Sequence, residues 1–321
     1  MRTRKIAIVA AFAAAATIFL LGSCDRSYLV HGRDSWASGN ARYAVVVGND
    51  ARTFLVHVPR EPTRNRLGVV EPFPLVVLLH GSGADGETIR KLSHFDSLAD
   101  VFHVVAVYPD GATAVFNYGS DWNAGTCCGT PARDNIDDLG FITSVIDEVS
   151  HHTQIDRRRI YIAGFSDGGR MAYHYACARA AAVAAIGVVA GSLTDDHCAP
   201  SRPVPLVAIH GTTDSDVPYL EKAMTAPRKA LPPALSALQP SLGFWAAENG
   251  CSNPVTRRIS ANVTRTFFRT CTGADATLYT ISGGGHAWPG GTRDGADGAQ
   301  PSAELNASSV LLQFFLGHTL R

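Results

Sequence analysis

Lysine is scarce. Only four of the 28 basic side chains are Lys, and 28 acidic ones bring the 321-residue chain to a formal charge of zero. Charged residues make up just 17% of the chain. The electrostatic footprint by which a protein grips nucleic acid is therefore missing, and a nucleic-acid partner is excluded. The excess of Arg over Lys reads as composition bias and not as function. No internal repeat, no H-x-x-x-H and no C-x-x-C occurs, so neither a repeat array nor a metal site is expected. Nor does the chain lack apolar material. At 46% hydrophobic residues it can bury a sizeable core, which rules out disordered and fibrous classes.

The N-terminus reads as a targeting segment. Arg2, Arg4 and Lys5 precede an uncharged apolar run, Ile6–Leu21, which is the secretory signal pattern. The run is shorter than the ~20 residues that a membrane span needs. Its end, Leu21-Gly22-Ser23-Cys24, resembles a bacterial lipobox, in which the Cys is lipidated and becomes the mature N-terminus. The plain alternative is a cleaved signal with an incidental Cys. The expected organisation is a signal over 1–24, a polar tether over 25–40 and one catalytic domain over 41–321. The protein would then be an envelope lipoprotein or secreted, with a membrane contact through its lipid.

Cysteine parity fits that placement. Setting Cys24 aside leaves six, Cys127, Cys128, Cys177, Cys198, Cys251 and Cys271, an even number that suits an oxidising compartment. The expected bridges are Cys177–Cys198 and Cys251–Cys271, each closing a loop of about 20 residues. That leaves Cys127 and Cys128 to each other, unless those two pair elsewhere or stay reduced.

Beyond residue 40, short β-branched runs alternate with helical stretches. Strands are expected at Arg42–Val47, Thr53–Val58, Leu75–Leu79, Val104–Tyr108, Ile160–Ala163, Ala185–Val189, Leu206–Ile209 and Thr277–Ile281. Helices are expected at Glu87–Val101, Asp138–His151, Gly168–Arg179, Pro240–Asn249 and Ala303–His318. Several strands are continuous apolar runs, as strands buried on both faces are. The alternation predicts an α/β fold, a mainly parallel sheet with helices on both faces. The first two strands, with no helix between them, predict an antiparallel edge. The Pro/Ala-rich stretch 226–239 reads as a loop-like insertion over a site.

One segment carries chemistry. Gly164-Phe165-Ser166-Asp167-Gly168 places Gly-x-Ser-x-Gly between a predicted strand and a predicted helix, the setting of a nucleophile elbow. A Ser hydroxyl needs a base, and the base needs a carboxylate, in the chain order Ser, acid, His. His210-Gly211-Thr212-Thr213-Asp214-Ser215-Asp216 follows a strand and offers Asp214, with Asp216 as its competitor. Only His286 and His318 come after every acid candidate. His286, in the glycine-rich Gly283-Gly284-Gly285-His286, is the candidate base, and activity should rise with pH around the ordinary imidazole value of ~6.5. An oxyanion would be met by the amide of Asp167, with its carboxylate turned away, and by that of Ser82 or else Gly83 in His80-Gly81-Ser82-Gly83. The adjoining His151-His152 reads as a solvated helix end.

Two other readings are open at this point. Gly81-Ser82-Gly83-Ala84-Asp85-Gly86, followed by Asp110 after the next strand, fits most of a dinucleotide-binding fingerprint, although on a later strand than usual. The chain could also be a surface binding protein that keeps the fold without the chemistry.

Taken together, HGSG at 80–83, WNAGTCCG at 122–129, Asp137-Asp138-Leu139-Gly140-Phe141, GFSDGG at 164–169, HGTTDSDVPY at 210–219 and GGGHAWPGG at 283–291 resemble the esterase family of poly(3-hydroxybutyrate) depolymerases, bacterial feruloyl esterases and acetylxylan esterases. The likeness spans roughly residues 50–318. It implies an α/β-hydrolase fold, no cofactor, a triad of Ser166, Asp214 and His286, and Trp122 and Trp288 flanking the acyl or alkoxy group. The substrates it implies are small or oligomeric esters: short-chain hydroxyalkanoate, feruloyl or acetyl. Depolymerases of solid polyester usually carry a linker and a substrate-binding module, and with neither seen here soluble esters are expected over insoluble polymer.

Overall fold

A computed structural model describes residues 36–113, 119–220, 237–293 and 298–320. The chain enters through an antiparallel pair, β1 (Gly39–Val47) and β2 (Asp50–Val58). From β3 (Phe73–Leu79), two short helices, α1 (Gly86–Ser93) and α2 (Phe95–Phe102), lead to β4 (Val105–Pro109). A small ribbon, β5 (Ala112–Thr113) with β6 (Ser120–Asp121), and a short helix, α3 (Gly129–Arg133), precede α4 (Asp138–His152). Then come β7 (Ile155–Phe165), α5 (Asp167–Arg179), β8 (Ala185–Val189), β9 (Leu206–Gly211) and α6 (Leu238–Glu248). The hairpin β10 (Cys251–Arg258) and β11 (Val263–Cys271), then β12 (Ala276–Ile281) and α7 (Ala307–Leu316), complete the order.

Ten strands form one sheet in the order β1-β2-β4-β3-β7-β8-β9-β12-β11-β10. The central run from β4 to β12 is parallel, and antiparallel pairs close both edges. Side chains of a strand point alternately to its two faces. In β3, Leu75, Val77 and Leu79 join a core with α4, α5 and α6, whereas Val76 and Leu78 join a second core with α1, α2 and α7. All seven residues of β3 are buried, and each large aliphatic among them contributes about 1.5–3 kcal/mol by leaving water. This two-sided burial is why the sequence shows an unbroken apolar run there.

Three sequence expectations need correction. Trp36, assigned to a polar tether ending at residue 40, is buried, stacked on Tyr43 and His152, and β1 begins at Gly39. The helix expected over Glu87–Val101 is two helices, because His94 takes a left-handed conformation (φ 52°) that ends α1 and starts α2. The hairpin β10–β11 was missed. It lies at a half-exposed sheet edge, where Pro254 and four arginines replace the apolar alternation. The signal segment, Cys24 and residues 226–236 of the insertion fall outside the described residues; Leu238 and Gln239, at its end, open α6.

All three expected bridges are present: Cys127–Cys128, Cys177–Cys198 and Cys251–Cys271. Cys251 and Cys271 face each other directly in the hairpin register, with Cα atoms 4.0 Å apart. Peptide mapping without reduction should return these three links, and a Cys127–Cys251 cross-link would overturn the scheme. Replacing Cys251 and Cys271 together by Ser should lower stability in urea by about 2–4 kcal/mol.

Candidate active site

The site lies at the carboxyl edge of the parallel strands, where α/β sheets place their ligands. Ser166 follows β7 and directly precedes α5, at φ 54° and ψ −114°. A non-glycine residue is costly there and persists only where its surroundings fix it. The flanking glycines explain how. A Cβ on Gly164 would collide with the backbone of Gly168, and one on Gly168 would collide with the carbonyls of Leu79 and His80. Strand, helix and the end of β3 are thus pressed together with no room for side chains. The Ser166 amide donates to Val189 O (2.9 Å), and Ser166 O caps α5 by accepting from Arg170 N (3.1 Å).

Asp214 and His286 come from the turns after β9 and β12, which are neighbours in the sheet. The two turns are laced together. Thr213 N and its hydroxyl donate to Gly284 O (2.9 Å each), Gly283 N donates to Thr212 Oγ1 (2.9 Å), and Thr212 N donates to Ile281 O (2.9 Å). At Gly211 any Cβ would strike the carbonyl of Gly284. This lacing brings His286 Nδ1 to 2.9 Å from Asp214 Oδ2 and His286 Nε2 to 2.8 Å from Ser166 Oγ. The network assigns the proton to Nδ1, which donates to the carboxylate, and leaves Nε2 to accept from the hydroxyl.

Asp214 is buried, and its Oδ1 accepts from the amides of Asp216 (2.9 Å) and Val217 (2.8 Å). Burial alone would raise its pKa. The hydrogen bond from His286, the His286 and His210 rings beside it and the Val217 amide together hold it below the usual carboxylate range. Asp216 is exposed, with its side chain outside the constellation. Sequence reasoning missed His210. It is buried, donates from Nε2 to Val217 O (2.8 Å), and places the same nitrogen 3.4 Å from Asp214 Oδ2. Burial lowers its pKa, so it is a neutral donor at the back of the acid. Its place four residues before Asp214, as the first residue of the HGTTD motif, was the available signal.

Beside Ser166, the Gly83 amide is already taken, by Ser120 O (3.0 Å) and Asp121 Oδ1 (3.1 Å). Of the two alternatives in the loop, Ser82 therefore keeps the amide with no acceptor drawn among the described residues. The Ser82 hydroxyl donates to Asp121 Oδ1, which holds the loop from the other side. Asp167 has its carboxylate inside the protein, accepting from the Trp122 amide (3.0 Å). Burial pushes its pKa up to about 7, against the charge of Arg170 and the Trp122 hydrogen bond.

The two tryptophans do not flank a substrate. Trp122 is 0% exposed, donates from Nε1 to His80 O (3.0 Å) and lies between His80 and Phe141. Trp288 is 1% exposed, donates to Ser308 Oγ (3.1 Å) and packs edge-on to Phe165. Both are core supports, one under the His80–Gly83 loop and one behind β7, the strand that leads to Ser166. His80 is likewise a support. Its Nε2 accepts from Gly111 N (2.9 Å), its Nδ1 donates to Gly81 O (2.7 Å), and burial keeps it neutral.

The dinucleotide reading of Gly81–Gly86 also fails on geometry. Asp85 Oδ1 already caps Thr88 N (2.8 Å), and Asp110 accepts from Gly86 N (2.8 Å), Arg42 and Thr53, so the groups that would hold a cofactor hold the loop instead. A cavity of about 690 Å³ lies beyond that loop, lined by Arg42, Arg52, Asp110 and Ser120 but by no residue of the Ser–His–Asp set. Among the described residues, Cys127, Cys128 and Asp167 are the one group with potential metal-ligand atoms close together. Its two sulfurs are bonded to each other.

The buried Asp167 carboxyl makes a prediction with a definite sign. A native-state pKa near 7, above the unfolded value of 3.8, means the folded state binds the proton more tightly, so stability falls as pH rises from about 4 to 7. Asp167→Asn should flatten that slope, with a gain over wild type on the order of a few kcal/mol at pH 8 and little change at pH 4. Urea midpoints for both proteins at the two pH values check it. An unchanged slope in the variant would assign the titration elsewhere.

Comparison with known proteins agrees with this architecture. The Esterase PHB depolymerase family matches residues 65–224. NocK of Nocardia uniformis subsp. tsuyamanensis is 29% identical over 88% of this chain and 83% of its own. Feruloyl esterase B of Piromyces equi is 30% identical over 57% of this chain, which spans about a third (34%) of that longer protein. Among solved structures, an acetyl xylan esterase from Aspergillus awamori superposes with a TM-score of 0.55 at 14% identity, covering 77% of this chain and 94% of that one. An S-formylglutathione hydrolase from Agrobacterium tumefaciens gives 0.52 at 15% identity, covering 80% and 91%. These two show the fold, that of α/β-hydrolases. The chain is a carboxylic ester hydrolase and belongs to the esterase family of poly(3-hydroxybutyrate) depolymerases and feruloyl esterases.

Proposed function

We propose that the protein is a serine esterase working through an acyl-enzyme, with Ser166 as nucleophile, His286 as base and Asp214 as its orienting carboxylate. The observation that carries this reading is the continuous relay Ser166 Oγ to His286 Nε2 (2.8 Å) and His286 Nδ1 to Asp214 Oδ2 (2.9 Å). Nε2 takes the hydroxyl proton as Oγ bonds to the ester carbonyl carbon. The carbonyl electron pair moves onto oxygen, and the amides of Ser82 and Asp167 receive that anion. The imidazolium, stabilised by Asp214, then gives its proton to the departing alkoxy oxygen as the C–O bond breaks. Water repeats the sequence on the acyl-enzyme, releasing the acid and restoring Ser166.

The substrates that fit this reading are short-chain hydroxyalkanoate, feruloyl or acetyl esters, small or oligomeric. They are supported by the names of the feruloyl and acetylxylan esterase relatives. The same reading places the enzyme outside the cytoplasm, secreted or held to the envelope by a lipid on Cys24. Three disulfides support an oxidising compartment.

Hydrolysis of p-nitrophenyl acetate and butyrate by wild type and Ser166→Ala tests the chemistry, and equal rates would leave a fold that binds without catalysing. Asp214→Asn should lower kcat/KM roughly 10³–10⁴-fold, by analogy with the loss of a triad carboxylate elsewhere. Asp216→Asn should stay within about threefold of wild type. Activity should fall on acidification, because an imidazole already protonated cannot accept from Ser166. A flat profile from pH 5 to 8 would remove His286 from the role. Methyl ferulate, acetylated xylan and hydroxybutyrate oligomers in one assay would rank the substrates.

A further inference from the structure

We infer that the sheet edge opposite the active site is a membrane-docking surface, which seats on anionic lipid and turns Ser166 towards the aqueous side. The inference rests on the proposed lipid at Cys24 and adds an orientation to it.

The parallel strands place every candidate catalytic residue at one edge, since Ser166, Asp214 and His286 each follow the end of a strand. The described chain begins at the other edge. Gly39 pairs with Val58 where β2 ends, and His57 pairs with Ala106 near the start of β4. Trp36 N donates to His152 O, at the end of the helix that leads into β7. From Trp36, the 12 residues back to Cys24 can reach at most about 40 Å when extended, so a lipid there tethers this edge near the bilayer. A tether of that length does not by itself select a face.

The surface supplies the selection. Seven large hydrophobic residues are notably exposed among those described, and four of them sit at this edge: Leu67 (88%), Val69 (58%), Val101 (68%) and Phe102 (49%). Leu67 and Val69 occupy the turn of a small projecting loop between β2 and β3, closed by Asn65 N to Val69 O (3.0 Å) and the Arg64–Val70 bridge. Val101 and Phe102 end α2, and the two segments are joined where His103 Nδ1 meets Glu61 O (2.6 Å). The remaining three, Val46, Leu220 and Ile259, are scattered over other segments.

Charge points the same way. Arg60, Arg64 and Arg66 are exposed in the loop, and Arg158 is exposed on the adjoining start of β7. The exposed acids of the loop are Glu61 and Glu71. Apolar side chains with arginines in modest excess of acids beside them suit the interface of an anionic bilayer, and basic residues add attraction within a Debye length of it.

The four tryptophans are all buried, at 8% exposure or less, so a fifth on the surface reports its own surroundings. Full-length protein carrying Leu67→Trp or, on the active-site edge, Ile259→Trp is mixed with vesicles of phosphatidylcholine and phosphatidylglycerol containing dibrominated phosphatidylcholine. The expected result is co-sedimentation of both, with tryptophan emission quenched and blue-shifted for Leu67→Trp only. Adding Arg64→Glu and Arg66→Glu should reduce that quenching on the order of tenfold in lipid affinity. Co-sedimentation without quenching at position 67, or with quenching at 259 instead, overturns the docking surface and leaves the anchor standing. Failure of both proteins to sediment removes the anchor and the surface together. Loss of sedimentation in Cys24→Ala identifies the anchor as the tether.

Discussion

The whole site depends on a contact that only hydrogen atoms permit. Gly164 and Gly168 let the last residues of β7, the first turn of α5 and the end of β3 approach until a single methyl would collide. That compression holds Ser166 at a positive φ it would not choose, directly ahead of Asp167 and the first turn of α5. The strain is local, and the buried strands on either side are what sustain it. A parallel sheet with apolar side chains on both faces is stiff enough for the purpose, because neither face can relax without opening one of the two cores.

Behind Ser166 lies a second layer of buried polar groups. The Asp167 carboxylate holds the Trp122 amide, the Trp122 indole holds His80 O, and His80 in turn holds the Gly111 amide. The Cys127–Cys128 bridge lies against Arg170 of α5. Much of the distinctive sequence, HGSG, WNAGTCC and GFSDGG, is thus one packed unit in which each motif satisfies polar groups of another. Buried polar groups that hold one another in this way fix the loop around Ser82, although Asp167 Oδ1 has no hydrogen-bond partner among the described residues.

Legibility in the sequence followed the physics of each element. Strands buried on both faces were readable because they must be apolar throughout, and the elbow because its glycines have no substitute. Two disulfides were readable from spacing within short loops. The hairpin β10–β11 was not, because at an edge the solvent tolerates almost any alternation. The break at His94 was hidden for a similar reason, since a single left-handed residue leaves no periodic trace. The tryptophans were misassigned because an aromatic in a motif looks the same whether it touches a substrate or supports the loop that does. Burial decides that, and burial is a property of the fold. His210 shows the converse: a residue placed inside a recognised motif whose contact with Asp214 only the folded turn displays.

The lacing between the turns after β9 and β12 has one further consequence. Strands that are immediate neighbours in the sheet are separated in the chain by more than sixty residues, from Gly211 to Ala276. The imidazole and its carboxylate keep their spacing through bonds that Thr212 and Thr213, at the very start of that interval, make to the turn after β12. The chain beyond that start can therefore vary in length without moving the two turns apart. Change in the later part of that interval is thereby uncoupled from the spacing of His286 and Asp214.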